Sequence, residues 1–282
     1  MKPIFYIFML IVVSCTANFQ NYQHSQSNLI PMYGHIEKTE TFKNSDEDFI
    51  KAAISEFGDR EKATKGYSQI AWKFLSKNDN ITAIKRFNQV WLLDSLSADA
   101  YFGFAACTEL KGQSGEEYIL LGRKYDHNHE VELKFYQMMS LIYPYYYNDN
   151  EKSMDYCNKM LDIQKDNLFA VQQRGHLFVV KNNYENAIDD LKIAVKLDTL
   201  SSQAYNDFAY SLEKTGQNEE ALFYYDQSSK VNPQFLNPLY NAAMLLIKMN
   251  ENEKALEKIN QCIKIDPSIY EFQKIKKSLK KN

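Results

Sequence analysis

From Gly66 and Tyr67 onward, large apolar, small and alanine positions return every 34 residues. Three consecutive stretches line up without a gap: Val171, Tyr205 and Leu239 lead a first helix, Gly175, Ala209 and Ala243 follow four residues on, and Ala187, Ala221 and Ala255 open a second. In the first helix, apolar groups at i, i+3 and i+7 surround a small residue at i+4, which is one face of a 3.6-residue helix. The small residue lets two backbones touch. One stretch reads Tyr205, Phe208, Ala209 and Leu212, then Ala221, Tyr225 and Ser228 before Pro233 stops it. The next reads Leu239, Ala242, Ala243 and Leu246, then Ala255, Ile259, Cys262 and Pro267. Residues 215–218 and 249–252 are polar turns of the length that antiparallel helices need.

Earlier in the chain the same pattern reads Val171, Gly175, Phe178, Ala187, Leu191 and Ala194, and before that Tyr67, Ile70, Ala71, Phe74, Ala83, Phe87 and Val90. Between these lies a weaker unit with Tyr136, Met139, Ser140 and Tyr143, then Ser153, Cys157 and Met160, in which Pro144 and an extra residue disturb the turn. Another has Tyr101, Phe104 and Ala105 in its first helix, but Glu117 where alanine should open the second. The period and the register resemble the tetratricopeptide repeat, a helix-turn-helix unit, over roughly three quarters of the chain. The expected fold class is all-α, with six repeats over residues 64–269. The resemblance implies a right-handed superhelical solenoid of stacked helix pairs whose first helices line a concave groove. Caps are expected at both ends. Residues 46–63 supply one, with Phe49, Ile50, Ala53, Ile54 and Phe57 on one side and Gly58 as terminator. Residues 270–282 supply the other, with Tyr270, Phe272, Ile275 and Leu279 covering the last repeat and lysines toward water.

Carrying over the family's inward positions, the resemblance implies a groove lined by Ser68 and Trp72, Phe102 and Ala106, Gln137 and Leu141, Gln172 and His176, Asn206 and Tyr210, and Tyr240 and Met244. Gln172, Gln173, Asn206 and Asn241 could hydrogen-bond an extended peptide backbone, while Trp72, Tyr210 and Tyr240 offer large rigid surfaces. The lysine, asparagine and arginine clamp by which chaperone-binding members hold a terminal carboxylate is missing from these positions. The competing reading is a groove filled by the chain's own N-terminal segment, or one that is not the binding site at all. Arg174 stands where other repeats place an apolar side chain, and Asp190 on the facing helix is its expected bidentate partner. The run Tyr143-Pro144-Tyr145-Tyr146-Tyr147 is expected to be buried between the second and fourth repeats. His127 and His129 read as a solvated loop.

A net charge near −3 gives no electrostatic reason to invoke nucleic acid. The N-terminus sets the expected address. Lys2 precedes an apolar run from Ile4 to Val13, too short to span a bilayer, which reads as a signal peptide over residues 1–14. Val12-Val13-Ser14-Cys15 is similar to the bacterial lipoprotein box, which implies acylation of Cys15. Residues 15–45 are expected to form a lipidated tether, polar and without apolar periodicity from Thr16 to Gln26. Cys107, Cys157 and Cys262 read as buried small apolar side chains without zinc spacing. With no phosphate loop, nucleophile elbow or paired-carboxylate motif, no catalytic residue and no cofactor are expected. The function expected is a non-catalytic scaffold, tethered in the bacterial cell envelope and facing the periplasm, that binds peptide segments of partner proteins. The alternative is a glycan or nutrient capture protein, or the regulatory subunit of an envelope enzyme.

Overall fold

The structure, a computed structural model, describes residues 27–280. The expected signal peptide, Cys15 and the tether from Thr16 to Gln26 lie outside the described residues. Fourteen α-helices and no strand are present among the described residues. The chain divides into two compact units, with the boundary between Asn148 and Asp149.

The first unit contains α1 (Glu40–Phe57), α2 (Arg60–Ser76), α3 (Asn80–Leu93), α4 (Ala98–Glu109), α5 (Glu116–Tyr125) and α6 (Glu130–Tyr147). Helix α1 is the expected cap. Ala53 joins Ala63 and Leu93 in a small core against which Phe49, Ile50, Phe57 and Tyr67 pack. Gly58 ends it with φ 96°, a left-handed conformation that costs a residue without Cβ little. The cap starts six residues earlier than expected, at Glu40 instead of Asp46. Residues 27–45, assigned to the tether by sequence, are folded: Pro31–His35 is a 3-10 turn, and Met32 and Tyr33 are buried.

The second unit contains α7 (Asn150–Ile163), α8 (Leu168–Val180), α9 (Tyr184–Leu197), α10 (Ser202–Lys214), α11 (Asn218–Val231), α12 (Leu236–Lys248), α13 (Asn252–Ile265) and α14 (Tyr270–Leu279). Its turns repeat as regularly as its helices. Asn182, Gly216 and Asn250 each take positive φ, 57°, 85° and 63°, in the turn between the two helices of a pair. The N-caps are short polar side chains where the turn allows it, as at Asn167, which accepts from the Ala170 amide at 3.0 Å. At the C-terminal end Phe272 packs with Leu239, Ala243, Ile259 and Cys262, and Ile275 and Leu279 lie against the same cluster. Tyr270 does not: it is 76% exposed, because as the first residue of α14 it lies on the face away from the core.

The third expected repeat is divided between the units. Its first helix is α6, and its second is α7. Helix α6 runs on through Pro144 for 18 residues and ends at Asn148, whose φ of 52° closes the first unit.

Helix pairs are held by small residues at the points of closest approach. A Cβ added to Gly103 would stand 2.2 Å from the ring of Phe87, itself fully buried. Ala209 and Ala221 are likewise fully buried. Gly103→Ala, Ala209→Leu and Ala221→Leu are each expected to lower stability by about 1–3 kcal/mol through overpacking, while Glu219→Leu at an exposed site changes it little. Chemical denaturation midpoints check this. Unchanged midpoints for all three buried variants would show that the helix pairing is wrong.

Candidate peptide-binding site

In the first unit, the positions expected to line a groove on α2 and α4 are already covered. Helix α6 carries Phe135, Met139 and Ile142, all at most 2% exposed, and the neighbouring first helices bury them. Phe102 is fully buried and stacks on Phe135 with ring centroids 5.6 Å apart. Trp72 is 3% exposed, packs edge-on against Phe87, and donates its indole N–H to Asp99. Lys134 of α6 then bonds Asp99 at 3.1 Å and sits over the Trp72 ring. Trp72 and Phe102 are therefore core residues, a correction to the groove reading. Ser68 and Ala106 are buried as well. Gln137 and Leu141 are exposed on the outer side of α6.

The far end of α6 also differs from expectation. Tyr143 is buried, but Tyr145, Tyr146 and Tyr147 are 80%, 41% and 44% exposed. The Tyr146 and Tyr147 hydroxyls reach Ser76 O and Asn78 Oδ1 at 3.3 and 3.1 Å, so the terminal turn of α6 is pinned beside the α2–α3 turn. Side chains of this final turn project past the helices that bury the preceding turns.

The second unit presents a polar surface across α8, α10 and α12. Gln172 donates to the Ser201 hydroxyl at 2.7 Å, and Ser201 caps α10. His176 is hydrogen-bonded through Nδ1 to Asp207 Oδ2 at 2.8 Å. Asp207 is buried, and its other oxygen accepts from Gln203 at 2.8 Å and Asn206 at 3.2 Å. Asn241 of α12 continues the chain by donating to Asn206 Oδ1 at 3.3 Å. A pocket of about 430 Å³ opens beside this network, lined by Phe169, Gln172, Gln173, His176, Gln203 and Asp207 among others. The hydrogen bond with Asp207 raises the His176 pKa above its ordinary value of 6.5; burial opposes this, and the carboxylate charge adds to it. Charged or neutral, the ring is held in one orientation, and Nε2 is the nitrogen not engaged by Asp207.

Of the other expected contacts, Asn206 is only 6% exposed and supports the network from within. Tyr210 is half-buried, edge-on to Tyr184 and beneath the Lys214 ammonium at 4.7 Å. Tyr240 leans on Phe272 of the cap, with centroids 5.8 Å apart, and Met244 is 40% exposed. Sequence reading missed Asp207, Gln203 and Ser201. Asp207 had a usable signal: it lies one helical turn before Tyr210, the position equivalent to His176 in the next repeat, so neighbouring first helices bring the two together.

Arg174 pairs with Asp190 as expected, Nε and Nη2 lying 2.7 and 2.8 Å from the two carboxylate oxygens. His129 is not simply solvated: its Nδ1 lies 2.9 Å from buried Glu132, which also accepts from Arg123 at 2.7 Å and Tyr136 at 2.8 Å. Burial alone would raise the Glu132 pKa, but these hydrogen bonds hold it below the usual carboxylate value. The cluster ties α5 to α6 where the second repeat is degenerate. Cys107, Cys157 and Cys262 are buried free thiols, and burial pushes the pKa of Cys157 up to about 12 and that of Cys262 to about 11. No cluster of metal-ligating side chains exists among the described residues.

A family model of the tetratricopeptide repeat matches residues 202–235 and 236–269. Among solved structures the chain is similar to PilF of Pseudomonas aeruginosa, at 16% identity and a TM-score of 0.55, over 78% of this chain and 99% of that one. It is also similar to PilW, described as a widely conserved type IV pilus biogenesis factor, at 15% identity and a TM-score of 0.51, over 75% and 97% of the two chains. A curated relative, the UDP-N-acetylglucosamine–peptide N-acetylglucosaminyltransferase of Giardia intestinalis, is 24% identical over 137 residues, which are 47% of this chain and 9% of that protein. With the family model seated on α10 to α13 and the same all-helical architecture in these structures, residues 202–269 carry two tetratricopeptide repeats within an all-helical fold of that type.

Proposed function

We propose that this chain is a non-catalytic adaptor whose second unit grips an extended peptide segment of a partner protein across α8, α10 and α12. The observation that carries this reading is the row of side-chain amides, with Gln172, Gln173 and Gln203 lining the pocket beside His176 and Asn241 joined to it through Asn206. An amide offers both a donor and an acceptor, which suits the alternating N–H and C=O groups of a peptide backbone. Half-buried Tyr210 and exposed Met244 supply apolar anchors at low conformational cost. In this reading His176 is a ligand contact fixed by Asp207, and its protonated ring donates from Nε2 to a peptide carbonyl. The setting proposed is the bacterial cell envelope, with the chain lipid-anchored through Cys15 and facing the periplasm. Two features support it: the Val12 to Cys15 box, and the likeness of fold to PilW, whose described role is in pilus biogenesis.

The anchor is testable with a palmitate analogue. Cys15→Ala is expected to abolish labelling and to release the protein from the detergent-extracted membrane fraction. Equal labelling and retention of variant and parent would reject the lipid anchor.

For the groove, a crosslinking pull-down from membranes names the partner, and calorimetry then measures binding. Tyr210→Ala combined with Gln173→Ala should remove an apolar anchor and a backbone contact, about 2 kcal/mol or more, or at least roughly thirtyfold in affinity. Moderate salt should change the parent's affinity little. Full binding by the double variant would move the site elsewhere.

The pH dependence has a fixed sign. Because Asp207 raises the His176 pKa in the folded protein, the imidazolium pair is complete below the ordinary histidine value and is lost as pH rises through the raised one. Peptide affinity should therefore fall as pH rises through that range, and His176→Gln should flatten the profile. An unaltered profile in His176→Gln would remove His176 from the site.

A further inference from the structure

A short segment of the chain lies on the first unit, held by side chains that bind its main-chain carbonyls and by the burial of two of its own side chains. Asn88 of α3 is fully buried, although asparagine is ordinarily a surface residue. Its Nδ2 donates to the carbonyls of Asn28 at 3.2 Å and Ile30 at 3.0 Å. Lys111, in the turn after α4, donates to the carbonyl between them, that of Leu29, at 2.9 Å. Three consecutive carbonyls of residues 28–30 are thus captured by side chains from the helical body. Just beyond, Met32 and Tyr33 are 6% and 7% exposed. Lys38 covers Tyr33 from outside, 3.7 Å from the ring centroid, and is itself paired with Asp46 of α1.

The segment is poorly suited to its conformation. Met32, Tyr33, Gly34 and His35 are four successive left-handed residues, with φ of 50°, 55°, 66° and 54°. Three of them carry a Cβ, and L side chains adopt this region at a cost and seldom in runs. The segment stays in place because its attachment sites are always near it in the same chain, not because its own backbone prefers the shape.

We propose that Asn88, Lys111 and the hollow that takes Met32 and Tyr33 form a second peptide-binding site, occupied here by the chain's own residues 27–36. When this strap lifts, the site accepts a short segment of another chain that carries two adjacent large apolar side chains and turns as residues 31–35 do. Apart from the 3.4 Å approach of Asn88 Nδ2 to Asn28 Oδ1, the contacts from Asn88 and Lys111 reach main-chain carbonyls, which do not distinguish this chain's strap from a partner's. The site lies on the first unit, and its failure would leave the groove on α8, α10 and α12 untouched.

The test uses the full chain and a fluorescein-labelled peptide of residues 27–36. Hydrogen exchange first reports whether the strap is lifted in Tyr33→Ala and in Met32→Ala/Tyr33→Ala, both of which keep Asn88 and Lys111. Exchange in residues 27–36 should rise by at least tenfold in the double variant. Unchanged exchange in both variants would overturn the claim that the strap lifts. By fluorescence anisotropy the parent should take up little peptide, because the strap occupies the site. The Met32→Ala/Tyr33→Ala protein should bind it at least tenfold more tightly, and adding Asn88→Ala should abolish that gain. A lifted strap with no peptide uptake would show that the segment is only structural, and uptake that survives Asn88→Ala would place the peptide somewhere else.

Discussion

The structure depends on helices that approach until backbone meets side chain. Gly66 against Phe57 and Gly103 against Phe87, where an added Cβ would stand 2.2 Å from the ring, and Gly175, where it would stand 2.7 Å from Leu191 Cγ, are close approaches of this kind, and Ala71, Ala209 and Ala243 are small residues likewise fully buried. Each pair is short, and helices of this length are marginal alone, so the helical state exists because the faces pack. In a repeat array that packing runs mainly between neighbours, and the surface not consumed by it is left for binding.

The two units use that surface differently. In the first, α6 is long enough to lay Phe135, Met139 and Ile142 against the preceding first helices, and the bulky residues that a ligand would want, Trp72 and Phe102, become core. The Arg123, His129, Glu132 and Tyr136 cluster fixes this helix in place where the alanine signature fails. In the second unit the first helices carry amides and a histidine outward, and the buried carboxylate of Asp207 organises them. Burying a carboxylate is costly without partners, and Asp207 has three in His176, Gln203 and Asn206. The same three contacts make the pocket wall rigid, which is what a binding surface gains from preorganisation.

Most of the fold was legible because the repeat multiplies a weak signal. Ala187, Ala221 and Ala255 are each ordinary, but their equal spacing sets the register, and Gly216 and Asn250 mark turns that the structure closes with left-handed residues. Arg174 and Asp190 were legible for the same reason, since the register places them on facing helices. What the sequence could not show was competition for the same face. Nothing local distinguishes Trp72 lining a groove from Trp72 beneath α6, because the difference is set by residues roughly 60 positions away. The strap was hidden because residues 27–36 lie before the repeats begin and directly follow the polar stretch from Thr16 to Gln26, whereas its attachment rests on Asn88 and Lys111 binding main-chain carbonyls and on the burial of Met32 and Tyr33.

The central claim is that the amide-lined face of the second unit, not the outer helices, meets the partner. Site-specific photocrosslinking in cells tests it directly, whatever the partner's identity. A benzophenone amino acid placed at Gln173 or Gln203, both beside the pocket, should give a discrete higher-mass adduct, while the same group at exposed Glu220 on α11 should give none. Adducts from Glu220 together with none from Gln173 or Gln203 would contradict the account.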